Sequence, residues 1–480
     1  MIKVLAVASE VFPLVKTGGL ADVVGALPKA LLPHGVETRV LVPAYPPILA
    51  ALGPAEPIYR YNDVFGGPAA LIAGKVGDLD LIALDAPHLF NRNGNPYLAP
   101  GGADWPDNWQ RFAALSYVAG EFGSGLIGEF VPDIVHAHDW QSALVAAYLH
   151  VAPEPKAKTV LTIHNLAFQG VFPTPVFAEL RLPPSLCALD GVEYYGAVGY
   201  LKAGLQFADA ITTVSPSYAE EICTPAGGMG LDGLLRSRRA VLSGIVNGID
   251  TDVWDPAVDK DLAAPFTAAK LARRADNKRA IEKRFGLETG DGILFSVISR
   301  LTWQKGMDLL ADAIDALVAS GARLAVLGSG DAVLEGALSA AALRHPGRVG
   351  FVAGYDEKLA HLLQGGADAI LIPSRFEPCG LTQFHGLHYG CVPVVSRVGG
   401  LADTIIDAND AALAAGVATG LQFSLADAGG FAHAVTRAQH LFADPKAWSA
   451  MQKSGMKSDV SWSRSAARYA DIYRRLLARI

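Results

Sequence analysis

Short runs of apolar, β-branched residues alternate with longer Ala- and Leu-rich stretches along the whole chain. Each apolar run is continuous, which is typical of strands that are buried on both faces of a parallel sheet. The predicted strands are residues 3–8, 38–43, 133–138, 159–164 and 210–215 in the first half, and 293–299, 323–328, 349–354, 369–374 and 392–396 in the second. Strands and helices that alternate in two series predict an α/β protein with two doubly wound domains.

A polar, proline-bearing segment after G-I-V-N-G-I-D (244–250) separates the two series. We therefore predict a first domain over residues 1–245 and a second domain over residues 246–455. The tail, residues 456–480, carries apolar and aromatic residues at helical spacing: Trp462, Tyr469, Ile472, Tyr473 and Leu476. This spacing predicts an amphipathic helix with one face to bury, and we expect that face to return to the first domain.

Composition and charge limit the classes of molecule that the protein is expected to bind. The chain has 480 residues, of which 51% are hydrophobic and 18% charged, as is usual for globular proteins. A net charge of -7 argues against a nucleic-acid partner, which needs a basic surface. No apolar run approaches the ~20 residues that cross a bilayer, and the N-terminal M-I-K-V-L-A-V-A-S-E lacks a convincing cleavage site. We read that segment as a buried strand and expect a cytoplasmic protein without a membrane partner.

The cysteines give no sign of a metal or disulfide framework. Cys187, Cys223, Cys379 and Cys391 share no C-x-x-C spacing, which predicts neither a zinc site nor a set of disulfides.

Polar residues follow many of the predicted strands, at the edge where doubly wound sheets bind their ligands. The clusters are Lys16; His138, Asp139 and Trp140; His164 and Asn165; Arg300; Gly354, Tyr355 and Asp356; and Arg375 with Glu377. Because such clusters arise at strand ends in both predicted domains, we expect them to share one cleft between the domains.

The segment K-T-G-G (16–19) lies where the first strand ends and a helix begins. It matches neither the Walker A loop nor the dinucleotide pattern G-x-G-x-x-G. Gly18 and Gly19 nevertheless allow backbone amides at a helix N-terminus to approach an anion, and Lys16 adds a positive charge. This stretch alone leaves open a tight turn with a solvent-exposed lysine.

A second basic loop, S-R-L-T-W-Q-K-G (299–306), also follows a strand and opens a helix, with Arg300 and Lys305 flanking the turn. A surface charge pair of little energetic weight is the alternative. Together with Lys16, these cations predict a clamp for a diphosphate, in which each charge-assisted hydrogen bond contributes ~1.5–3 kcal/mol. The same charges would stabilise a diphosphate as a leaving group.

The stretch S-R-F-E-P-C-G-L-T-Q-F-H-G-L-H-Y-G (374–390) combines a carboxylate with an amide-rich turn. The amides of Gly380, Leu381 and Thr382 run into a predicted helix and suit a phosphate, to which Thr382 adds a hydroxyl. Because Glu377 would be unfavourable beside an anion unless it served a neutral polyol, we expect a sugar next to the phosphates. The alternative makes Glu377 a salt-bridge partner of Arg375.

Six motifs in order resemble the bacterial glycogen synthases and plant starch synthases over nearly the whole chain: K-T-G-G-L-A-D, H-A-H-D-W, T-I-H-N-L-A-F-Q-G, V-N-G-I-D, S-R-L-T-W-Q-K-G and E-P-C-G-L-T-Q. The resemblance implies a retaining glucosyltransferase of the GT-B type, with two Rossmann-like domains that face each other across a deep cleft. It further implies transfer of glucose from ADP-glucose to the non-reducing end of an α-1,4-glucan such as glycogen or a maltooligosaccharide. No metal ion and no other cofactor are implied.

The resemblance also implies a role for each matching position. The catalytic set is Lys16, His164, Arg300, Lys305 and Glu377, with His164 against the anomeric centre. The substrate-binding set is Gly18, Gly19, Asn247, Tyr355, Cys379, Gly380, Leu381 and Thr382, with Tyr355 stacked on the adenine. The candidates for the acceptor glucan are Glu10, Asp22, Tyr97 and Asp139. Purely structural roles for His164, Tyr355 and Cys379 remain open.

Several alternatives in function and mechanism remain. A UDP-glucose-dependent enzyme of the same fold and a non-catalytic glucan-binding protein are both compatible with the motifs, and a phosphorylase of this architecture would carry pyridoxal phosphate. A nicotinamide oxidoreductase is disfavoured, because V-L-G-S-G-D (326–331) is only a fragment of its fingerprint. Since the closely spaced carboxylate pair of retaining hydrolases is not evident, we prefer a front-face reaction in which the departing diphosphate takes the acceptor's proton. A double displacement with Glu377 as the nucleophile is the alternative. Oligomeric state is not predicted.

The pentapeptide G-G-L-A-D occurs twice, at 18–22 and 399–403. Both copies are interpreted as a glycine turn that enters a helix, and chance repetition is the alternative.

Overall fold

The computed structural model describes residues 1–128, 130–154, 157–424 and 429–478. The chain divides into two compact units. The N-terminal unit comprises Met1–Asn247 and the residues from Trp462 onward, and the C-terminal unit comprises Gly248–Ser461. In the described part of the chain no helix is both long enough and apolar enough to cross a membrane.

The N-terminal unit contains most of the strands. They are β1 (Ile2–Val7), β2 (Val36–Pro43), β3 (Tyr59–Tyr61), β4 (Ala69–Val76), β5 (Leu79–Asp85), β6 (Ile134–His138), β7 (Lys158–Ile163), β8 (Val171–Pro173), β9 (Glu193–Tyr194), β10 (Ala197–Gly199), β11 (Ala210–Thr213) and β12 (Leu242–Gly244). Its helices are α1 (Gly19–Leu31), α2 (Pro46–Leu52), α3 (Pro87–Phe90), α4 (Asn108–Gly123), α5 (Trp140–Ala143), α6 (Val145–Val151), α7 (Tyr200–Phe207), α8 (Pro216–Glu221), α9 (Asp232–Ser237) and the C-terminal helix (Ser463–Leu477). Short 3-10 helices span Leu32–His34, Thr174–Glu179, Pro184–Leu186 and Arg239–Val241.

The main sheet of this unit has the order β12-β11-β7-β6-β1-β2-β5-β4-β3, and β8, β10 and β9 form a small sheet of their own. The strands from β12 to β5 are parallel. Chain order reverses between β1 and β6, which is the topological switch point of a doubly wound sheet. The edge is different, because β4 pairs antiparallel with β5 and β3 with β4. The expectation of parallel strands alone is therefore wrong at this edge.

The C-terminal helix packs against α1 within the N-terminal unit. Its stripe of Tyr469, Tyr473 and Leu476 is buried in one cluster with Val23 and Leu27 of α1. Burying a large apolar side chain contributes about 1.5–3 kcal/mol, so the helix is a substantial part of this core.

The C-terminal unit is built on one parallel sheet. Its strands are β13 (Leu294–Ile298), β14 (Arg323–Gly328), β15 (Val349–Ala353), β16 (Ala369–Ile372), β17 (Val392–Ser396) and β18 (Leu421–Phe423). Its helices are α10 (Arg274–Phe285), α11 (Met307–Ala319), α12 (Ala332–Arg344), α13 (Glu357–Gly366), α14 (Thr382–Tyr389), α15 (Gly399–Thr404), α16 (Asp410–Ala414), α17 (Gly430–Phe442) and α18 (Pro445–Met456), with a 3-10 helix at Ala268–Arg273.

The sheet order β15-β14-β13-β16-β17-β18 reverses between β13 and β16. It has the doubly wound order 3-2-1-4-5-6 when the strands are numbered along the chain. Phe295, Leu324 and Val394 of these strands are fully buried, as continuous apolar strands covered on both faces should be. The prediction of two doubly wound α/β units is confirmed.

Candidate active site

Most of the predicted site residues lie at or next to the switch point of each unit. In the N-terminal unit they lie on the loops that follow β1 and β6, and on the neighbouring loop after β7. In the C-terminal unit they lie mainly on the loops after β13 and β16. Because adjacent loops diverge where strand order reverses, each switch point is a natural ligand crevice.

Glu10 is a buried carboxylate on the loop after β1. It accepts hydrogen bonds from the backbone amide of Thr17, from the Thr17 hydroxyl at 2.6 Å and from the Tyr97 hydroxyl. Burial, reinforced by the negative charge of Glu10, holds the pKa of Tyr97 well above its usual range, so this phenol remains a donor. The Ser9 hydroxyl lies 2.7 Å from the same phenol oxygen. One carboxylate therefore fastens the β1 loop to the segment that carries Tyr97.

Lys16 lies beside the open N-terminus of α1. Its ammonium nitrogen is 2.7 Å from Asp22 in the first turn of that helix, so its charge is balanced within the N-terminal unit. Among the residues that the structure describes, no side chain caps α1, and a Cβ added at Gly18 would meet nothing within 4 Å. The amides that begin at Gly19 are thus open to an anion.

His164 is a half-buried residue that directly follows β7. Its Nε2 lies 3.0 Å from Nδ1 of His138, and its backbone amide donates to Asp139 Oδ1 at 2.7 Å. Burial lowers the pKa of His164 to about 3 and that of His138 well below its usual range. Both rings are therefore neutral near pH 7, and His164 offers hydrogen-bonding atoms without a positive charge.

Asp139 has a strained backbone at φ 58° and ψ −173°, a region that residues other than glycine rarely adopt. Burial raises the pKa of its carboxyl to about 7, although the hydrogen bonds from the His164 and Asn165 amides oppose the shift. Strain of this kind is often retained at functional sites. Here it accompanies a carboxyl that joins the loops after β6 and β7.

Glu377 is the buried carboxylate of the C-terminal unit. Its Oε2 accepts hydrogen bonds from Lys305 Nζ at 2.6 Å and from Ser374 Oγ at 2.8 Å. Arg300 is exposed and has no ion pair within residues 1–128, 130–154, 157–424 and 429–478. Of the two basic residues in the S-R-L-T-W-Q-K-G loop, Lys305 is thus already neutralised and Arg300 is available to a ligand.

Arg375 fastens the loops after β13 and β16 to each other. It forms a bidentate ion pair with Asp308, with both N–O distances 2.7 Å, so it is not the partner of Glu377. Its guanidinium also donates to the Trp303 carbonyl at 2.7 Å and lies 4.5 Å from the centre of the Trp303 ring. The Arg375 amide donates to the Gln304 carbonyl at 2.8 Å. These contacts fix the loop that carries Lys305 relative to the loop that carries Glu377.

The second G-G-L-A-D copy (399–403) packs against the backbone of the loop that carries Glu377. The Gly400 amide donates to the Glu377 carbonyl at 3.0 Å. A Cβ added at Gly399, where φ is +42°, would lie 2.1 Å from that carbonyl oxygen. A Cβ added at Gly400 would lie 2.3 Å from the Cys379 carbonyl oxygen. Glycine is required at both positions for this close approach, whereas Gly18 in the first copy faces open space.

Helix α14 begins at Thr382, directly after this loop. Gly380 has φ +76°, and the Gln383 side chain donates to the carbonyls of Cys379 and Gly380 at 2.9 and 3.0 Å. Leu381 is the N-cap residue, and within the described part of the chain no side chain accepts a hydrogen bond from the first turn. The amides at the start of α14 therefore remain open to an anion, close in the chain to the carboxylate of Glu377.

Besides Tyr97, which lies between α3 and α4, two further predicted residues lie away from these loops. Tyr355 follows β15 and is 66% exposed, with its hydroxyl donating to Glu357 at 2.9 Å. Asn247 is the last residue of the first segment of the N-terminal unit. Its side chain is buried, and its Oδ1 has no hydrogen-bond partner within the described residues. A ring that is largely exposed and an unsatisfied buried acceptor are both suited to a ligand.

Sequence reasoning missed the side chains that hold the candidates in place. These are Thr17 at Glu10, Ser374 at Glu377 and Asp308 at Arg375; His138 was named in a strand-end cluster, but its contact with His164 was not predicted. Ser374 and His138 are each the last residue of a predicted strand. Their position at the strand end could therefore have indicated that both lie at the site. In the portion of the chain described here, no group of three or more His, Cys, Asp and Glu residues could hold a metal ion, and none of the four cysteines forms a disulfide.

Comparisons with known proteins agree with this architecture. A model of the starch synthase catalytic domain matches residues 3–237, and a model of glycosyl transferases group 1 matches residues 277–450. The chain is 60% identical over 477 residues to glycogen synthase 1 of Rhizobium meliloti (strain 1021), covering 99% of both chains. It is 58% identical over 478 residues to a glycogen synthase of Rhodopseudomonas palustris (strain BisA53), covering 99% of this chain and 98% of that one.

Solved structures show the same resemblance. The catalytic domain of starch synthase IV from Arabidopsis thaliana, bound to ADP and acarbose, superposes with a TM-score of 0.88 at 31% identity and 99% coverage of both chains. A sucrose-phosphate synthase from Thermosynechococcus elongatus has a TM-score of 0.61 at 17% identity, with 100% coverage of both chains, and shows the shared fold alone.

Proposed function

The chain belongs to the glycogen synthase family of glycosyltransferases, and from that premise we propose that it transfers glucose from ADP-glucose to the non-reducing end of an α-1,4-glucan with retention of configuration. The observation that carries the proposal is the buried Glu377–Lys305 pair, together with the open N-terminus of α14 and with Arg300, which lies on the same loop as Lys305 and has no ion pair among the described residues. This grouping offers a carboxylate to a sugar and cationic and amide donors to phosphates. The ADP bound to the Arabidopsis starch synthase IV supports the choice of adenine nucleotide.

The C-terminal unit is assigned the nucleotide sugar. Arg300, Lys305 and the amides at Leu381 and Thr382 hold the diphosphate, while Tyr355 stacks on the adenine. Both contacts of Glu377 within the described residues are made by Oε2, so Oε1 is left to accept hydrogen bonds from glucose hydroxyls. The carbonyl-lined turn at Cys379 and Gly380 shapes the glucose pocket.

The N-terminal unit is assigned the anomeric centre and the acceptor. The open helix terminus at Gly18 and Gly19, with Lys16 beside it, approaches the departing phosphate. His164 lies against the anomeric carbon as a neutral ring and a backbone carbonyl, so it supports positive charge on the sugar without adding to it. The acceptor's hydroxyls are hydrogen-bonded by Glu10, Asp22, Tyr97 and Asp139, and Asn247 Oδ1 accepts from a sugar hydroxyl.

The reaction is proposed to take place on one face of the sugar. The bond from the anomeric carbon to the phosphate oxygen breaks, and the bond to the acceptor oxygen forms on the same side. The acceptor's proton passes to the departing phosphate oxygen, whose charge is stabilised by preorganised donors. In this scheme Glu377, held at Oε2 by Lys305 and Ser374, binds and stabilises the sugar and is not the nucleophile.

The test incubates the purified chain with ADP-, UDP- or GDP-glucose and a short maltooligosaccharide. Chain elongation, nucleoside diphosphate release and the configuration of the new linkage are measured. We expect elongation with ADP-glucose in preference to the others, through α-linkages. Elongation only with UDP-glucose would contradict the donor, and β-linkages would contradict retention. Glucan binding without diphosphate release would instead establish a non-catalytic binding protein.

A further inference from the structure

Three histidine rings form a row in the N-terminal unit. His136 and His138 both lie on β6, two residues apart and therefore on one face of the sheet. Their ring centres are 4.2 Å apart with an angle of 31° between the planes. His138 Nδ1 in turn lies 3.0 Å from His164 Nε2. The row thus ends at the histidine assigned to the anomeric centre.

The other end of the row meets the C-terminal helix. His136 Nδ1 is 2.8 Å from the Tyr473 hydroxyl, and His136 Nε2 is 2.6 Å from the Thr162 hydroxyl. Burial lowers the pKa of His136 to about 3 and holds that of Tyr473 well above its usual range, so both are neutral near pH 7. A neutral imidazole has one donor and one acceptor nitrogen.

The direction of these hydrogen bonds follows from burial. The fully buried phenol of Tyr473 keeps its proton, and His136 Nδ1 is its hydrogen-bond partner among the described residues, so we assign the phenol as the donor. Tyr473 therefore donates to Nδ1, which places the ring proton of His136 on Nε2, facing Thr162. The hydroxyl of Tyr473 consequently fixes both the tautomer and the orientation of the first ring.

Packing alone does not fix the orientation of the His136 and His138 rings, because there is space beside them. A small cavity, with room for about one water molecule, is bordered by His136, His138, Tyr473 and the buried hydroxyl of Thr38. A histidine ring that loses its hydrogen bond beside such a space is able to turn into it. Because His136 stacks on His138, its rotation would also release the ring that contacts His164.

We propose that Tyr473 is a positioning residue for His164, acting through the stacked rings of His136 and His138. The C-terminal helix thereby sets the orientation of His164, which lies on the loop after β7. The inference rests on the proposed role of His164 in glucosyl transfer. It extends that role to a residue that makes no contact with the proposed substrates.

The decisive variant is Tyr473→Phe, which keeps the ring and removes the hydroxyl. We expect kcat to fall roughly 10-fold with an unchanged KM for ADP-glucose, since small misplacements of reacting groups are costly. We also expect the imidazole ¹⁵N signals of His164, assigned by their loss in His164→Ala, to shift. The matched control is Ser465→Ala on the same helix, which removes a hydrogen bond to the Val246 carbonyl. It should leave kcat and the imidazole signals at their wild-type values.

Two outcomes would overturn the inference while the proposed function stands. They are wild-type His164 signals in Tyr473→Phe, even with a lower melting temperature, and a wild-type kcat. If the unaltered chain elongates no glucan, the proposed function fails, and an unmoved His164 signal still refutes the structural link. Should Tyr473→Phe not fold, Thr162→Val removes the hydrogen bond at the other nitrogen of His136. Unchanged His164 signals in that variant would also contradict the inference.

Discussion

Replacing Lys305 by alanine should reduce stability and activity, whereas replacing Arg300 should reduce activity alone. Lys305 and Glu377 form an ion pair at 2.6 Å with side chains only 19% and 7% exposed. Lys305→Ala leaves the Glu377 charge buried with the Ser374 hydroxyl as its remaining donor. Breaking a buried pair costs about 3–5 kcal/mol, and the partial exposure of the lysine places this case near the lower end.

That loss converts to a measurable melting shift. For 150–250 residues, each kcal/mol lowers the melting temperature by about 2–4 °C, so the C-terminal unit of Lys305→Ala should melt roughly 6–12 °C lower. Arg300 is exposed and lacks an ion pair in the described part of the chain, so Arg300→Ala should stay within about 0.5 kcal/mol of wild type. Both variants lose a preorganised donor to the diphosphate and should lose roughly 10²–10³ in kcat.

A third variant separates the two effects. Lys305→Ala combined with Glu377→Gln removes the buried charge and should recover most of the melting temperature without recovering activity. Thermal unfolding at fixed pH measures the first quantity, and ADP release at saturating ADP-glucose and maltooligosaccharide measures the second. The reasoning fails if Lys305→Ala melts with the wild type, if Arg300→Ala melts as low as Lys305→Ala, or if either retains full turnover.

Three further predictions concern single residues. Burial raises the pKa of Asp139 from 3.8 to about 7, so the folded state keeps a proton that the unfolded state loses, and this group's contribution to stability falls from about pH 4 to 7. Asp139→Asn should remove that part of the pH dependence of the urea midpoint, and an unchanged slope would argue against the shift. Gly399→Ala should lower kcat by at least about 10-fold because its methyl meets the Glu377 carbonyl, whereas Gly416→Ala, with φ +68° and nothing within 4 Å, should keep wild-type kcat. Equal kcat values in the two alanine variants would contradict that account. Tyr355→Ala should raise KM for ADP-glucose roughly 10-fold at unchanged kcat by removing ring stacking, and Tyr355→Phe should not; a rise in both would instead implicate the hydroxyl.

Apolar periodicity predicted most of the parallel strands but missed β5, β12 and β18, and it missed the antiparallel edge of the first sheet. The run A-A-L-I-A-G-K-V-G-D-L-D-L-I-A-L-D contains β4 and β5. Val76 pairs with Leu79 across Gly77 and Asp78, and Gly77 has φ +58°. A two-residue turn of this kind is a recognised hairpin signal. The expectation of parallel pairing throughout overlooked it.

At the candidate site, the sequence indicated the chemical groups but not their partners. Strand-end position predicted where Lys16, Lys305 and Glu377 lie along the fold. It did not predict that Asp22 neutralises Lys16 or that Glu377 neutralises Lys305, because an ion pair depends on side-chain geometry. The link from Tyr473 to His136 joins positions 337 residues apart, a separation at which local patterns carry no information.

The path of the chain also constrains the order in which its parts are made. The backbone leaves the N-terminal unit at Asn247 and rejoins it at Trp462. On the ribosome, every residue of the C-terminal unit therefore emerges before the helix that covers Leu27 and Ile134. The N-terminal unit is therefore translated first but completed last, when the C-terminal helix has been synthesised. Until then the nascent chain exposes the apolar surface that this helix will cover, and chaperones can bind that surface.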